Sequence, residues 1–240
     1  MIPIVSLSDL INSMISLAIG AKLLLAYRRR QVTTLGYFTL FYFTFGLMWL
    51  CWAAPEIIVY SAMAVTVVNI MGYVFLYAAL IAIAQVPFVL LGRREWGALL
   101  ATIVTTAGIV FVLGRVIDFQ LQERLIMPPY YVYWRPTFAS WLRILSGITS
   151  ATVSAIVIAV FAYLAWHDRT NIIIFRRSLF IISSMVCMMA AVAFTYFLFL
   201  IIGMFWGNLA ASLVVVFGLV LMLRGVSYGE QASSDVKKLD

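Results

Sequence analysis

Apolar residues fill this chain in long blocks separated by short polar clusters. The blocks show neither the alternation of a half-buried strand nor the one-sided stripe of a surface helix. A helix needs roughly 20 predominantly apolar residues to cross a bilayer, and seven blocks meet that length, approximately residues 4–27, 33–52, 62–91, 96–113, 137–166, 178–204 and 208–223. The interval between Glu56 and Arg93 carries no charge and is long for one helix. It holds no turn cluster, and an eighth crossing would reverse every later segment. One helix is therefore expected there, with the stretch "IIVYSAM" lying along the outer surface.

The pattern predicts an all-α, polytopic integral membrane protein with a seven-helix domain over residues 1–225 and a short polar tail over 226–240. Composition agrees: 65% of residues are apolar, 10% are charged, and the mean hydropathy is +1.08, whereas soluble domains carry about a quarter of their residues as charged groups. A multi-pass protein of the cell membrane is expected.

Charge orients the bundle. One set of alternate ends holds Arg28, Arg29, Arg30, Arg93, Arg94, Arg169, Arg176, Arg177, Arg224, Lys237 and Lys238, with Lys22 nearby. The other set holds Arg115, Arg124, Arg135 and Arg143, balanced by Asp9, Glu56, Asp118 and Glu123, so the whole net charge of +7 falls on the first side. The positive-inside rule then places the N-terminus outside and the C-terminus in the cytoplasm. The first segment is expected to be a retained anchor rather than a signal peptide, because Asp9 precedes its apolar core and "YRRR" follows it. The cations sit in short loops and not on one face of a soluble module, which argues against nucleic acid and for anionic lipid headgroups. The tail is too small to bury a core, so an inward signal is expected to pass to a partner membrane or cytoplasmic protein.

Chemistry is excluded more readily than assigned. The last helix has no lysine for a retinal Schiff base. The acidic-arginine and Asn-Pro signatures of rhodopsin-class receptors are missing from their helices. The sole histidine, His167, lies in a loop between helices five and six, which removes bis-histidine haem and His-Glu-x-x-His zinc sites. No catalytic residue, metal site or cofactor is expected, and an enzyme is not. The weak match of "LLAYRRRQ" with "YLAWHDRT" suggests a three-plus-one-plus-three layout, which in topology alone resembles sugar-efflux transporters of the SWEET type. The intrahelical prolines of that family are absent from segments one, two, five and six, so no residue is carried across.

Polar groups inside the bundle remain, and in hydrocarbon each needs a partner, water or a ligand. Asp9 and Arg143 lie at similar depth from the outer side, and Glu56 and Arg115 join them at the rim. These four, with Trp134 and Arg135 of the aromatic loop "MPPYYVYWRPTFASW" above, form the candidate ligand-binding set; an Asp9–Arg143 ion pair is the competing reading. The loop's Tyr130, Tyr131, Tyr133, Trp134 and Trp141 also suit a headgroup-level collar, and Pro128, Pro129 and Pro136 deny it a regular helix. Asn12, Asn69 and Gln85 are intramembrane amides fit for a polar path or for interhelical hydrogen bonds. Gly147, Ala151, Ala155 and Ala159 recur every fourth residue and mark helix five for close packing.

Three functions are compatible with these features: an outward-facing binding or sensing module acting through a partner, a structural subunit of a larger complex, and a small-solute transporter. If the orientation holds, a cysteine introduced at Gln120 reacts with an impermeant thiol reagent in intact cells, and one at Ser233 reacts only after permeabilisation. Labelling of both from the same side would contradict an odd number of crossings.

Overall fold

The computed structural model describes residues 3–58, 61–127, 131–198 and 203–236. Seven long helices alternate in direction: α1 (Ile4–Arg30), α2 (Thr33–Ile58), α3 (Ala62–Leu90), α4 (Arg94–Ile117), α5 (Ser140–His167), α6 (Ile172–Tyr196) and α7 (Met204–Val236). Each is long and apolar enough to span a membrane, so the chain is a polytopic helical membrane protein. The helices follow one another round a ring in chain order, and α7 closes the ring against α1. α4 sits outermost, against α3 and α5, and buries a single stripe: Gly97, Val104, Gly108, Phe111 and Arg115.

Between α4 and α5 the fold is not helical. Strands β1 (Glu123–Met127) and β2 (Tyr131–Arg135) pair antiparallel, Leu125 opposite Tyr133 and Arg124 opposite Trp134. Among the described residues this hairpin is the one departure from the all-α fold expected from the sequence, which the seven helices otherwise bear out. The aromatic and β-branched residues of this segment favour extended backbone, and pairing the strands satisfies amides that a loose collar would leave to water. Pro128, Pro129 and Tyr130 lie outside the described residues, as does the Tyr131 side chain. Val132, Tyr133 and Trp134 are all buried, so both faces of β2 are covered. The two ends of the bundle are called here the hairpin end and the arginine end; Arg28, Arg29, Arg30, Arg93, Arg94, Arg169, Arg176 and Arg177 gather at the latter.

Helix ends differ from the hydropathy blocks in several places. α2 does not stop at Trp52 but runs through Pro55 to Ile58; of the segment expected along the surface, Ile57 and Ile58 end α2, Ala62 and Met63 begin α3, and Val59 and Tyr60 lie outside the described residues. Proline is tolerated there because neighbouring helices cover the freed carbonyl. α6 begins at Ile172, not near 178, because the Asn171 side chain accepts hydrogen bonds from the Ile173 and Ile174 amides at 3.1 and 3.3 Å and caps it. α7 continues to Val236 into the polar segment set apart as a tail.

Side-chain bonds to backbone carbonyls join the helices. Asn12 donates to the Ser212 carbonyl and hydroxyl at 3.0 and 2.6 Å, tying α1 to α7. Ser13 donates to the Gly46 carbonyl at 2.9 Å and Gln85 to the Gly97 carbonyl at 2.9 Å. Asn12 and Gln85 are thus interhelical ties. Of the four-residue row on α5, Gly147 packs on Tyr196, Ala151 is half-buried, and Ala155 and Ala159 are exposed. The buried rows carry Ser146, Ser150, Ser154, Val153, Val157 and Phe161 instead. Alanine loses nothing by facing lipid, whereas a serine hydroxyl does.

α1 and α2 approach closely at Gly46, where a Cβ would stand 2.8 Å from Leu17 Cγ and 3.2 Å from the Leu17 amide nitrogen. Gly46→Val should lower thermal stability by about 1–3 kcal/mol, while Ala155→Val leaves the melting temperature unchanged. Equal melting temperatures for both variants would remove the α1–α2 contact from the core.

Candidate functional site

Four aromatic residues of α2, Phe41, Phe45, Trp49 and Trp52, lie three or four positions apart and so share one helical face. That face points into the bundle, and each ring meets the next at centroid distances of 5.3–5.8 Å. The series continues to Tyr73 on α3 at 5.1 Å and to Phe111 on α4 at 4.4 Å, and Phe111 reaches Phe138, just before α5, at 6.0 Å. Trp52 crosses α3 where Gly72 has no side chain; a Cβ there would collide with the indole. It donates to the Asn69 carbonyl at 3.2 Å.

Above Trp49 and Trp52, toward the hairpin, lies a cavity of about 70 Å³ lined by Asp9, Glu56, Asn69, Tyr73, Gln122, Tyr133 and Trp134 among others. Two acids from α1 and α2 thus face one space. Ser6 donates to the Glu56 carboxylate at 2.5 Å, and the Ser212 hydroxyl faces Asp9. None of the residues lining the cavity is Lys, Arg or His. The hairpin forms the roof. Tyr133 accepts from Asn208 of α7 at 2.6 Å, and the Gln122 backbone N–H donates to the Thr66 hydroxyl of α3 at 2.9 Å. Burial first, then the carboxyls of Glu56 and Asp9 beside it, pushes the Tyr133 phenol above its ordinary range, so it stays a hydroxyl.

The polar atoms here have few protein partners. Asp9 Oδ1, Trp49 Nε1, Asn69 Oδ1, Trp134 Nε1 and both amide atoms of Gln122 are buried without a hydrogen-bond partner. Gln122 and Trp134 are each only 3% exposed and Asp9 9%. Buried polar atoms are ordinarily paired with protein or ordered water. These residues all line the one cavity, which therefore presents both donors and acceptors.

No protein-family model matches the chain. No curated protein matches it, and no solved structure does. What the site does therefore rests on its chemistry alone.

The bases occupy a separate compartment. Arg115 is fully buried, donates to the Thr137 carbonyl at 2.6 Å and stands 4.6 Å over the Phe138 ring. Arg143 stands 5.1 Å over the same ring. Arg143 and Arg135 line a groove of about 690 Å³ with Phe138, Ser140 and Phe197, and Arg135 lies 3.8 Å from Glu123 across the hairpin. Pro136 contributes to the walls of both spaces. The six residues proposed from the sequence as one ligand set are thus divided: Asp9, Glu56 and Trp134 border the cavity, and Arg135 and Arg143 border the groove. Arg115 packs behind Phe138. Asp9 and Arg143 line different spaces.

The sequence reading passed over Gln122, Asn208, Trp49 and Trp52. The two tryptophans were legible as part of an inward stripe with Phe41 and Phe45. Gln122 carried no signal, since its role comes from the hairpin that sets it against α3. A double-mutant cycle of Arg115→Met with Phe138→Leu should give a coupling of about 0.5–2 kcal/mol, the range of cation–π pairs, measured by thermal unfolding in detergent. Strict additivity would show that the arginine–phenylalanine stack contributes nothing.

Proposed function

We propose that this protein is a membrane-embedded binding module whose ligand occupies the cavity beneath the hairpin. The hairpin end faces outward, as the gathering of arginines at the other end supports. The observation that carries the reading is the convergence of unpartnered buried groups from α1, α2, α3 and the hairpin on one space. A fold that left them unmatched would be less stable than one with apolar residues in their place, and a ligand supplies the missing partners. Occupancy reaches the arginine end through α2 and α3, which carry the floor residues Trp52 and Asn69 and extend the length of the bundle. A separate protein at that end receives the signal.

A second reading has one specific observation in its favour. Below Trp49 and Trp52 lies another cavity of about 90 Å³, lined by Phe45, Met48, Leu80, Ser150 and Met188 among others, and the two share Trp49, Trp52, Thr195 and Ala211 as walls. Stacked chambers along one axis suit a transporter as well as a receptor. The lower chamber is apolar, which favours a binding role over passage of a hydrophilic solute.

The binding reading predicts a conflict between stability and function. Asn69→Leu and Gln122→Leu each remove a buried polar group that lacks a protein partner, so each should stabilise the ligand-free protein, by up to about 1–3 kcal/mol. Both should also abolish the thermal stabilisation that small molecules confer on wild type in a metabolite screen. A lower melting temperature for both free variants would mean that these groups serve packing, and the binding reading would fall.

A further inference from the structure

The cavity beneath the hairpin also constrains what can bind in it; this step rests on the binding reading above. Two carboxyl groups, Asp9 and Glu56, share it, and none of its lining residues offers a positive charge. A carboxylate without a counter-ion at membrane depth is costly, and a cationic ligand removes that cost. The aromatic groups of Trp49, Trp52, Tyr73, Tyr133 and Trp134 surround the same space, and the faces of such rings attract ammonium ions. An anionic ligand would meet both acids and no base. The arginine groove on the far side of Pro136 and Phe138 suits anions, but it shares no acid with this cavity.

The shape below adds a second constraint. The apolar chamber under Trp49 and Trp52 shares four wall residues with the acidic cavity, so a head held by the acids has an apolar space directly beneath it. The unpartnered indole N–H groups of Trp49 and Trp134 and the amide of Gln122 add hydrogen-bond donors beside the head. We propose that the ligand is a small protonated amine with an apolar tail, its ammonium between Asp9 and Glu56 and its tail directed toward Phe45, Met48 and Met188. An oxygen near the amine would engage the indole and amide donors.

The test uses the full chain purified in mild detergent and three series of straight-chain probes with two to six carbons: alkylammonium ions, alcohols and carboxylates. Thermal unfolding is followed at constant ionic strength. Alkylammonium ions should raise the melting temperature, and apparent affinity should strengthen about threefold to fourfold per added methylene until the lower chamber is full, as burial of a methylene implies. Asp9→Asn with Glu56→Gln should abolish the effect, and Arg143→Gln should retain it. Asp9→Asn alone serves if the double variant does not fold, with at least a tenfold loss of affinity expected. A short-chain phosphatidylethanolamine in the same assay separates sources of the amine: stabilisation by it and by no free amine assigns the site to a lipid headgroup, and the reverse assigns it to a soluble ligand. Either result supports ammonium recognition.

Stabilisation by alcohols or carboxylates equal to that by ammonium ions would overturn the charge assignment while leaving the cavity a binding site. Persistence of the ammonium effect in Asp9→Asn with Glu56→Gln would overturn it as well. No stabilisation of folded wild type by any series, including the lipid, would overturn both this inference and the binding reading beneath it.

Discussion

A polar group placed within a bilayer must find its partner inside the chain, because hydrocarbon offers none, and most of this architecture follows from that constraint. Asn12, Ser13 and Gln85 meet it by donating to backbone carbonyls of neighbouring helices, and their bonds fix which helices lie side by side. Ser146, Ser150 and Ser154 of α5 turn inward while Ala155 and Ala159 are left on the surface, the inverse of the arrangement in a water-soluble bundle, where apolar area decides the buried face. At the hairpin end the constraint is left unmet at several atoms around one cavity. Unmatched atoms occur elsewhere in the bundle too, Asn12 Oδ1 and the hydroxyls of Ser16, Ser150 and Ser184 among them, but the cavity gathers six of them around one space.

Two aromatic arrangements organise the interior without sharing a task. The α2 stripe ends in Trp49 and Trp52, which divide a polar upper space from an apolar lower one. Phe138 carries two guanidinium groups and, with Pro136, stands between acids and bases at the same end of the bundle. Keeping opposite charges apart in a low-dielectric setting forgoes a favourable Coulomb interaction. Among the described residues, the lining shared by Asp9 and Glu56 includes no arginine.

The crossings were legible in the sequence because a bilayer imposes a minimum length on each apolar run, and the arginine clusters fixed their alternation. Depth along a helix was legible too: Asp9, Glu56 and Arg143 do lie toward one end. Rotation about the helix axis was not. Asp9 and Arg143 share a depth but face different spaces, and Gly147 shares a row with alanines that face outward, because the sequence states spacing and not azimuth in a chain where both lipid and core are apolar. The hairpin was missed for another reason. Prolines at 128, 129 and 136 suggest irregular structure, while Tyr131, Tyr133 and Trp134 suit a headgroup-level collar as well as a strand, and 123–127 carries no aromatic at all. Helix ends moved where a local device outweighed hydropathy, as the Asn171 cap does for α6.

The covering of both faces of β2 bears on time as well as on shape. A strand laid over a cavity with one face in solvent lifts by breaking a single layer of contacts. A strand with Val132, Tyr133 and Trp134 all enclosed, and Tyr133 fastened to α7 through Asn208, must withdraw on both sides together, and its partner strand moves with it because the ladder joins them. On the proposed binding reading, exchange at the hairpin end would require the hairpin to be drawn out as a unit, a slower event than the swing of a loop, and the residence time of a ligand would be set by the hairpin more than by Asp9 and Glu56.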